Sequence, residues 1–267
     1  MGAPSLSLVA ADGATIARRN LRKVTRVPEI LVAVLVSPLF MLVLFAYVFG
    51  GSINVAGGSY REYLVGGVFA MNLVFGATFT GAGLAEDMQK GVMDRFRSLP
   101  MSRSAVILGR TASDVLYNIL TLSVMIGAGL LVGWRAHGTL LESAAAFGLL
   151  LLFAYSISWV MAYVGLIVPS PEVISQAGMM VIFPLTFVAD TFAPIENFPP
   201  LLRTIAEWNP VSSVTRAARE LFGNVGAEVA EPTAWSLRHP VLYTLIWVVV
   251  LIAVFAPLSI RRFARQA

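Results

Sequence analysis

The chain has 267 residues and a formal net charge of +4, with 57% hydrophobic and 13% charged residues. Soluble domains carry about 45–50% apolar and about 25% charged residues, so this chain lacks the charge to cover a water-facing surface of its size, and it holds too much apolar material to stay disordered. Its basic excess therefore reads as membrane topology and not as nucleic-acid binding, the absence of cysteine removes disulfides and thiolate chemistry, and two lone histidines, His137 and His239, cannot build a multi-histidine metal site.

Taken in order, the N-terminal stretch lacks the early basic cluster and apolar run of a signal peptide. Residues Thr15–Val27 follow as an amphipathic helix: Ile16, Ala17, Leu21, Val24 and Val27 share one face, and Arg18, Arg19, Arg22, Lys23 and Arg26 the other. Such a helix lies in the headgroup plane, drawn to anionic lipid; the plainer reading is a topogenic basic stretch. Pro28 separates it from the first span.

A bilayer-spanning helix needs about 20 apolar residues. Six segments meet or approach that requirement: Ile30–Gly50, Tyr63–Ala85, Asp114–Gly133, Ser143–Pro169, Val173–Ala189 and Pro240–Ile260. The fifth is the weakest, being short and carrying Pro184, and a re-entrant segment or one overlong hairpin is its alternative. Six spans place both termini on one side. Thirteen basic residues then fall on the side of the termini and of the segment between spans two and three, and six on the other side. The positive-inside rule puts both termini in the cytoplasm.

Between spans two and three, Met88, Val92, Met93, Phe96 and Leu99 recur at helical spacing, with Arg95 and Arg97 beside them. A helix is expected over about 86–99, with an apolar stripe facing either the headgroup layer or a soluble partner. On the opposite side, Asp190–His239 contains two short amphipathic helices over about 199–222. The first ends at Trp208; Asn209 caps the second, Pro210 starts it and Gly223 stops it. Arg216 and Arg219 are placed on its polar face, and Asp190 is expected to be wet.

Chemistry-bearing motifs are absent. The chain's two lysines, Lys23 and Lys90, do not follow the glycine pattern of a P-loop, and span centres lack the carboxylates of proton-coupled carriers. Asp114 lies four residues after Arg110, so a local ion pair is expected. The spans offer soft, bulky walls instead. Phe45, Asn72, Phe75, Phe79, Met180, Phe183 and Phe187 are candidates for a substrate path, against the plainer alternative of lipid-facing or packing residues. Gly76, Ala77, Gly81, Ala82 and Gly83 allow close helix approach in the second span.

Three stretches taken together, Gly91–Pro100, Gly178–Phe187 and Asn209–Leu221, closely resemble the daunorubicin-resistance permeases of the type-2 ABC exporter family, and the resemblance runs over about residues 15–265. It implies an all-α integral membrane protein with residues 1–28 as a cytoplasmic segment and 29–267 as a six-helix permease domain. It further implies that 86–99 is the coupling helix, that Arg18, Arg22 and Arg26 lie on a connecting helix, and that Trp208, Asn209, Pro210, Arg216 and Arg219 belong to a hairpin capping the outer exit. No catalytic residue, metal or cofactor is then expected in this chain. ATP and Mg2+ would sit on a separate ATP-binding subunit, present twice beside two permease copies in a bacterial inner membrane. The implied cargo is an amphipathic drug-like or lipid-like small molecule; export of a lipid or glycan precursor, or a non-transport membrane scaffold, are the alternatives.

Overall fold

The computed structural model describes residues 36, 38–50, 53, 55, 58–92, 103–168, 170–226 and 231–265. Among the described residues all regular structure is helical. A short apolar helix, α1 (Pro38–Val48), is the described part of the expected first span and ends in a π-helical turn over Phe45–Phe49. The second span is one rod, Tyr60–Gln89, divided into α2 (Tyr60–Gly76) and α3 (Thr78–Gln89). The division has a local cause. The Thr78 hydroxyl donates to the Phe75 carbonyl at 2.7 Å, competing with the backbone ladder just after a glycine.

The third and fourth spans are α4 (Arg103–Val132) and α5 (Leu140–Ile167). Thr139 starts α5 with a capping box: its hydroxyl accepts from the Glu142 N–H while the Glu142 carboxylate accepts from the Thr139 N–H. Ser170 caps α6 (Pro171–Phe187), the expected fifth span, with Pro171 at the first helical position. Its 17 residues reach roughly 26 Å. Among the described residues four helices, Tyr60–Gln89, Gly109–Val132, Leu140–Ile167 and Pro240–Arg265, are long and apolar enough to cross a bilayer, so the protein is a multi-pass membrane protein. After α6 come α7 (Pro200–Glu207), α8 (Pro210–Phe222), the single turn α9 (Trp235–Arg238) and the last span, α10 (Pro240–Arg265).

One boundary differs from expectation. Glu86–Gln89 are the last turn of the second span and not the start of a separate helix, because Gly91 turns the chain at a positive φ of 64°. A new helical residue begins at Val92, and 93–99 lie outside the described residues.

Two of the apolar clusters among the described residues lie toward opposite ends of the bundle. Near the hairpin, Phe69, Trp134, Phe147 and Phe222 pack edge-on or tilted, with centroids 4.9–6.3 Å apart. At the other end Leu84, Trp159, Leu166 and Phe263 are buried together. Between the two clusters α3 and α5 touch backbone to backbone. A Cβ on Gly165 would fall 2.5 Å from the Gly81 carbonyl oxygen, so the close approach expected of Gly81 is made, and only glycine permits it.

Candidate functional site

The helix α8 is anchored before it begins. Asn209 accepts from the Val211 N–H through its side-chain oxygen, while its amide donates to the carbonyls of Leu185 and Val188 at 2.7 and 3.0 Å. One side chain therefore caps α8 and closes the frayed end of α6. Gly223 ends α8 at a φ of 69°, and the freed Phe222 carbonyl accepts from the His137 and Gly138 N–H groups. The sequence-based cap, start and stop of this helix are all present.

Its burial is not as expected. Arg219 is 2% exposed and Asp190 5%. The Arg219 guanidinium donates to Asp190 Oδ2 at 2.9 Å, to the Tyr63 carbonyl at 2.8 Å and to the Thr191 carbonyl at 3.1 Å, and its carbon lies 3.4 Å from the Tyr63 ring centroid. The Tyr63 hydroxyl donates to the second Asp190 oxygen, and the Asp190 N–H donates to Ser212. Burial pushes the Asp190 carboxyl up, with the Arg219 charge as the largest opposing pull. The network needs a bare backbone on α2: a Cβ on Gly67 would fall 2.1 Å from the Thr191 carbonyl oxygen. The placement of Arg219 on a polar face and of Asp190 in water is thus corrected. Arg216 and Glu220, paired at 3.0 Å, keep a wet edge on α8, while α2, α5 and α10 enclose most of the rest. Trp208 is half exposed, with Tyr243 edge-on to it at 6.1 Å and bonding its carbonyl.

Of the residues expected on a substrate path, three assemble around one that the sequence did not single out. Phe183 and Phe187 stack at 4.0 Å, Phe187 meets Phe192 at 4.7 Å, and Phe192 stacks on Phe45 at 4.4 Å. This ladder leaves the outer surface of α6 beside a cavity of about 600 Å³ lined by Ser175, Gln176, Met179, Met180, Phe183 and Pro184. The spacing of phenylalanines at 183, 187 and 192 was the available signal, but Phe192 lies beyond the expected end of the span. Of the other four, Met180 lines that cavity, and three do not join the ladder. The Asn72 amide donates to the Val68 carbonyl of its own helix, Phe75 packs against the main core, and Phe79 lies edge-on to Tyr117 of α4.

At the opposite end the expected Arg110–Asp114 pair is present at 3.9 Å and is wider than expected. Arg110 also meets Asp87 at 3.9 Å and donates to the Phe79 carbonyl, and Thr80 donates to Asp114 at 2.6 Å. This cluster ties α3 to α4 at the start of the expected coupling segment. Met88 packs inward against the Leu84–Phe263 cluster, and Val92 is half-buried. Arg95, Phe96, Arg97 and Leu99, together with Arg18, Arg22 and Arg26, lie outside the described residues.

Comparison with known proteins matches residues 13–222 to the ABC-2 type transporter family. The chain is 34% identical to the daunorubicin resistance ABC transporter permease protein DrrB1 of Streptomyces coeruleorubidus, over 90% of this chain and 81% of that one. It is 27% identical to the putative transport permease ycf38 of Pyropia yezoensis, over 85% and 79%. It is 21% identical to the probable doxorubicin resistance ABC transporter permease protein DrrC of Mycobacterium tuberculosis, over 70% and 68%.

Proposed function

The chain belongs to the ABC-2 type transporter family and is a permease subunit of an ABC exporter; from that premise we propose that it moves flat, amphipathic drug-like or lipid-like compounds out of a bacterial cell across the inner membrane. The observation that carries the cargo class is the Phe183–Phe187–Phe192–Phe45 ladder beside the methionine-lined cavity. Stacked rings receive a planar ring system face to face, and thioethers adapt to its edges. A glycan would need hydroxyl partners, and the cavity offers Ser175 and Gln176 against a mostly apolar wall. The anthracyclines in the names of two relatives are fused-ring amphiphiles of the proposed kind.

In this reading two permease copies pair in the membrane, each with six spans and both termini in the cytoplasm. Two copies of a separate ATP-binding subunit bind ATP and Mg2+ and supply the energy. The segment 86–99 receives their movement, with Phe96 as its central contact and Arg95 and Arg97 beside it. Asp87, Arg110 and Asp114 pass that movement from α3 to α4. The Asp190–Arg219 network seats the hairpin rigidly on α2 and α6, so the outer ends of those spans move with it as one cap.

The test is export of a fluorescent anthracycline from cells that express the permease with its ATP-binding subunit. Phe192→Ala and Phe187→Ala are expected to reduce efflux of the planar compound several-fold, while Phe79→Ala, off the ladder, leaves it unchanged. Unchanged efflux in both ladder variants, at equal membrane abundance, would refute the assigned path.

A further inference from the structure

A second cavity, of about 400 Å³, lies at the hairpin end of the last span, lined by Arg216, Glu220, Glu231, Arg238 and His239 among others. Its charges balance in pairs. Arg216 and Glu220 neutralise each other at 3.0 Å. Arg238 spends one N–H on the Pro232 carbonyl at 3.1 Å and keeps the rest of its guanidinium exposed. Glu231, also exposed, bonds no described residue. What remains open is therefore one cation and one anion on the same rim.

Two further observations say what sits there. An aromatic cluster adjoins the pocket through His239: Trp235 meets His239 at 5.6 Å and Tyr243 at 6.1 Å, and Tyr243 meets Trp208 and Trp247 at 6.1 and 6.3 Å. Such a cluster at the end of a span marks headgroup depth. Directly along α10 from the pocket, Leu242, Ile246, Val249 and Val250 form an exposed apolar stripe. A ligand matched to this surface has one anionic group, one cationic group and an apolar tail.

We propose that the pocket holds the headgroup of a zwitterionic phospholipid, its phosphate on the Arg238 guanidinium and its ammonium on Glu231, with the acyl chains lying on the α10 stripe. The phosphate takes charge-assisted bonds from a guanidinium, and the ammonium donates to the exposed Glu231 carboxylate in the same way. An anionic lipid such as phosphatidylglycerol satisfies Arg238 but brings no cation to Glu231 and sets its phosphate near that carboxylate. This site is separate from the ladder and does not depend on what is exported.

The experiment is native mass spectrometry of the full-length chain in detergent, titrated with dioleoyl phosphatidylethanolamine or dioleoyl phosphatidylglycerol. The wild type is expected to prefer the former by about tenfold, the size of one well-placed charge contact. Arg238→Gln lowers binding of both lipids. Glu231→Gln lowers binding of phosphatidylethanolamine and raises that of phosphatidylglycerol, a sign reversal that nonspecific lipid adhesion does not produce. Free phosphoethanolamine at millimolar concentration fails to displace the lipid, because the chains hold it. Equal uptake of the two lipids by the wild type, or an unchanged preference in both variants, overturns the site. Displacement by free phosphoethanolamine overturns the acyl-chain contact.

Discussion

The Arg219 guanidinium and the Asp190 carboxylate meet at 2.9 Å, 29 residues apart in the chain and both almost excluded from water. The pair is held on both sides: the Tyr63 hydroxyl closes the second carboxylate oxygen, and the Tyr63 and Thr191 carbonyls each take a further guanidinium bond. A buried pair is stable on these terms, when attraction and hydrogen bonds offset desolvation of both ions. The pair joins α8, the end of α6 and the start of α2.

Removing one partner leaves the other as a lone buried charge, at a cost of about 3–5 kcal/mol. Asp190→Asn and Arg219→Gln are each expected to lower the thermal unfolding temperature in detergent by more than Glu220→Gln, whose partner Arg216 has a wet edge. Substitution of Asp190 and Arg219 together should cost less than the sum of the two. Additive losses in that double-mutant cycle would show that the two residues do not act as a pair.

Gly165 lies against the Gly81 carbonyl with no room for a side chain. Gly165→Ala is expected to force α3 and α5 apart at a cost of about 1–3 kcal/mol. Gly148→Ala on the same helix, where a Cβ meets nothing within 4 Å, should be neutral or slightly stabilising through helix propensity. Equal unfolding temperatures for the two variants would remove the close approach as a stability element.

Phe96 is the largest residue on the expected coupling stripe, and an aromatic anchored in a partner groove is worth about 2 kcal/mol or more. Phe96→Ala should therefore leave insertion intact while the ATP-binding subunit no longer co-purifies, or hydrolyses ATP without export. Normal export in both Phe96→Ala and Arg97→Ala means that the stripe lies on lipid. Neutralising Arg18, Arg22 and Arg26 to Gln should weaken membrane contact of the N-terminal helix by about 1 kcal/mol per charge. Unchanged transport in that triple variant leaves these arginines a topogenic role only.

Since the chain has no cysteine, single cysteines report topology without background. Glu228→Cys is expected to react with an impermeant maleimide in intact cells, and Gln266→Cys only after permeabilisation. The opposite labelling pattern inverts the proposed orientation.

Much of the architecture was legible in the sequence because a bilayer makes each span satisfy its own backbone bonds, so that span length and apolarity are local properties. The rod Tyr60–Gln89, the helices α4, α5, α6 and α10, and the Asn209 and Gly223 ends of α8 all follow from residues near them in the chain. The family motifs were legible for the same reason, since each is a contiguous stretch. Pairings across the bundle were not. A helical wheel assigned Arg219 to water because periodicity counts a charged residue as polar wherever it points; only the packing of α2 and the 189–191 turn around α8 makes that position an interior one. The ladder likewise depends on Phe192, whose partners Phe45 and Phe187 come from different elements. Which polar residues are buried, and which rings stack, is decided by contacts between helices, and those contacts exist only in the folded bundle.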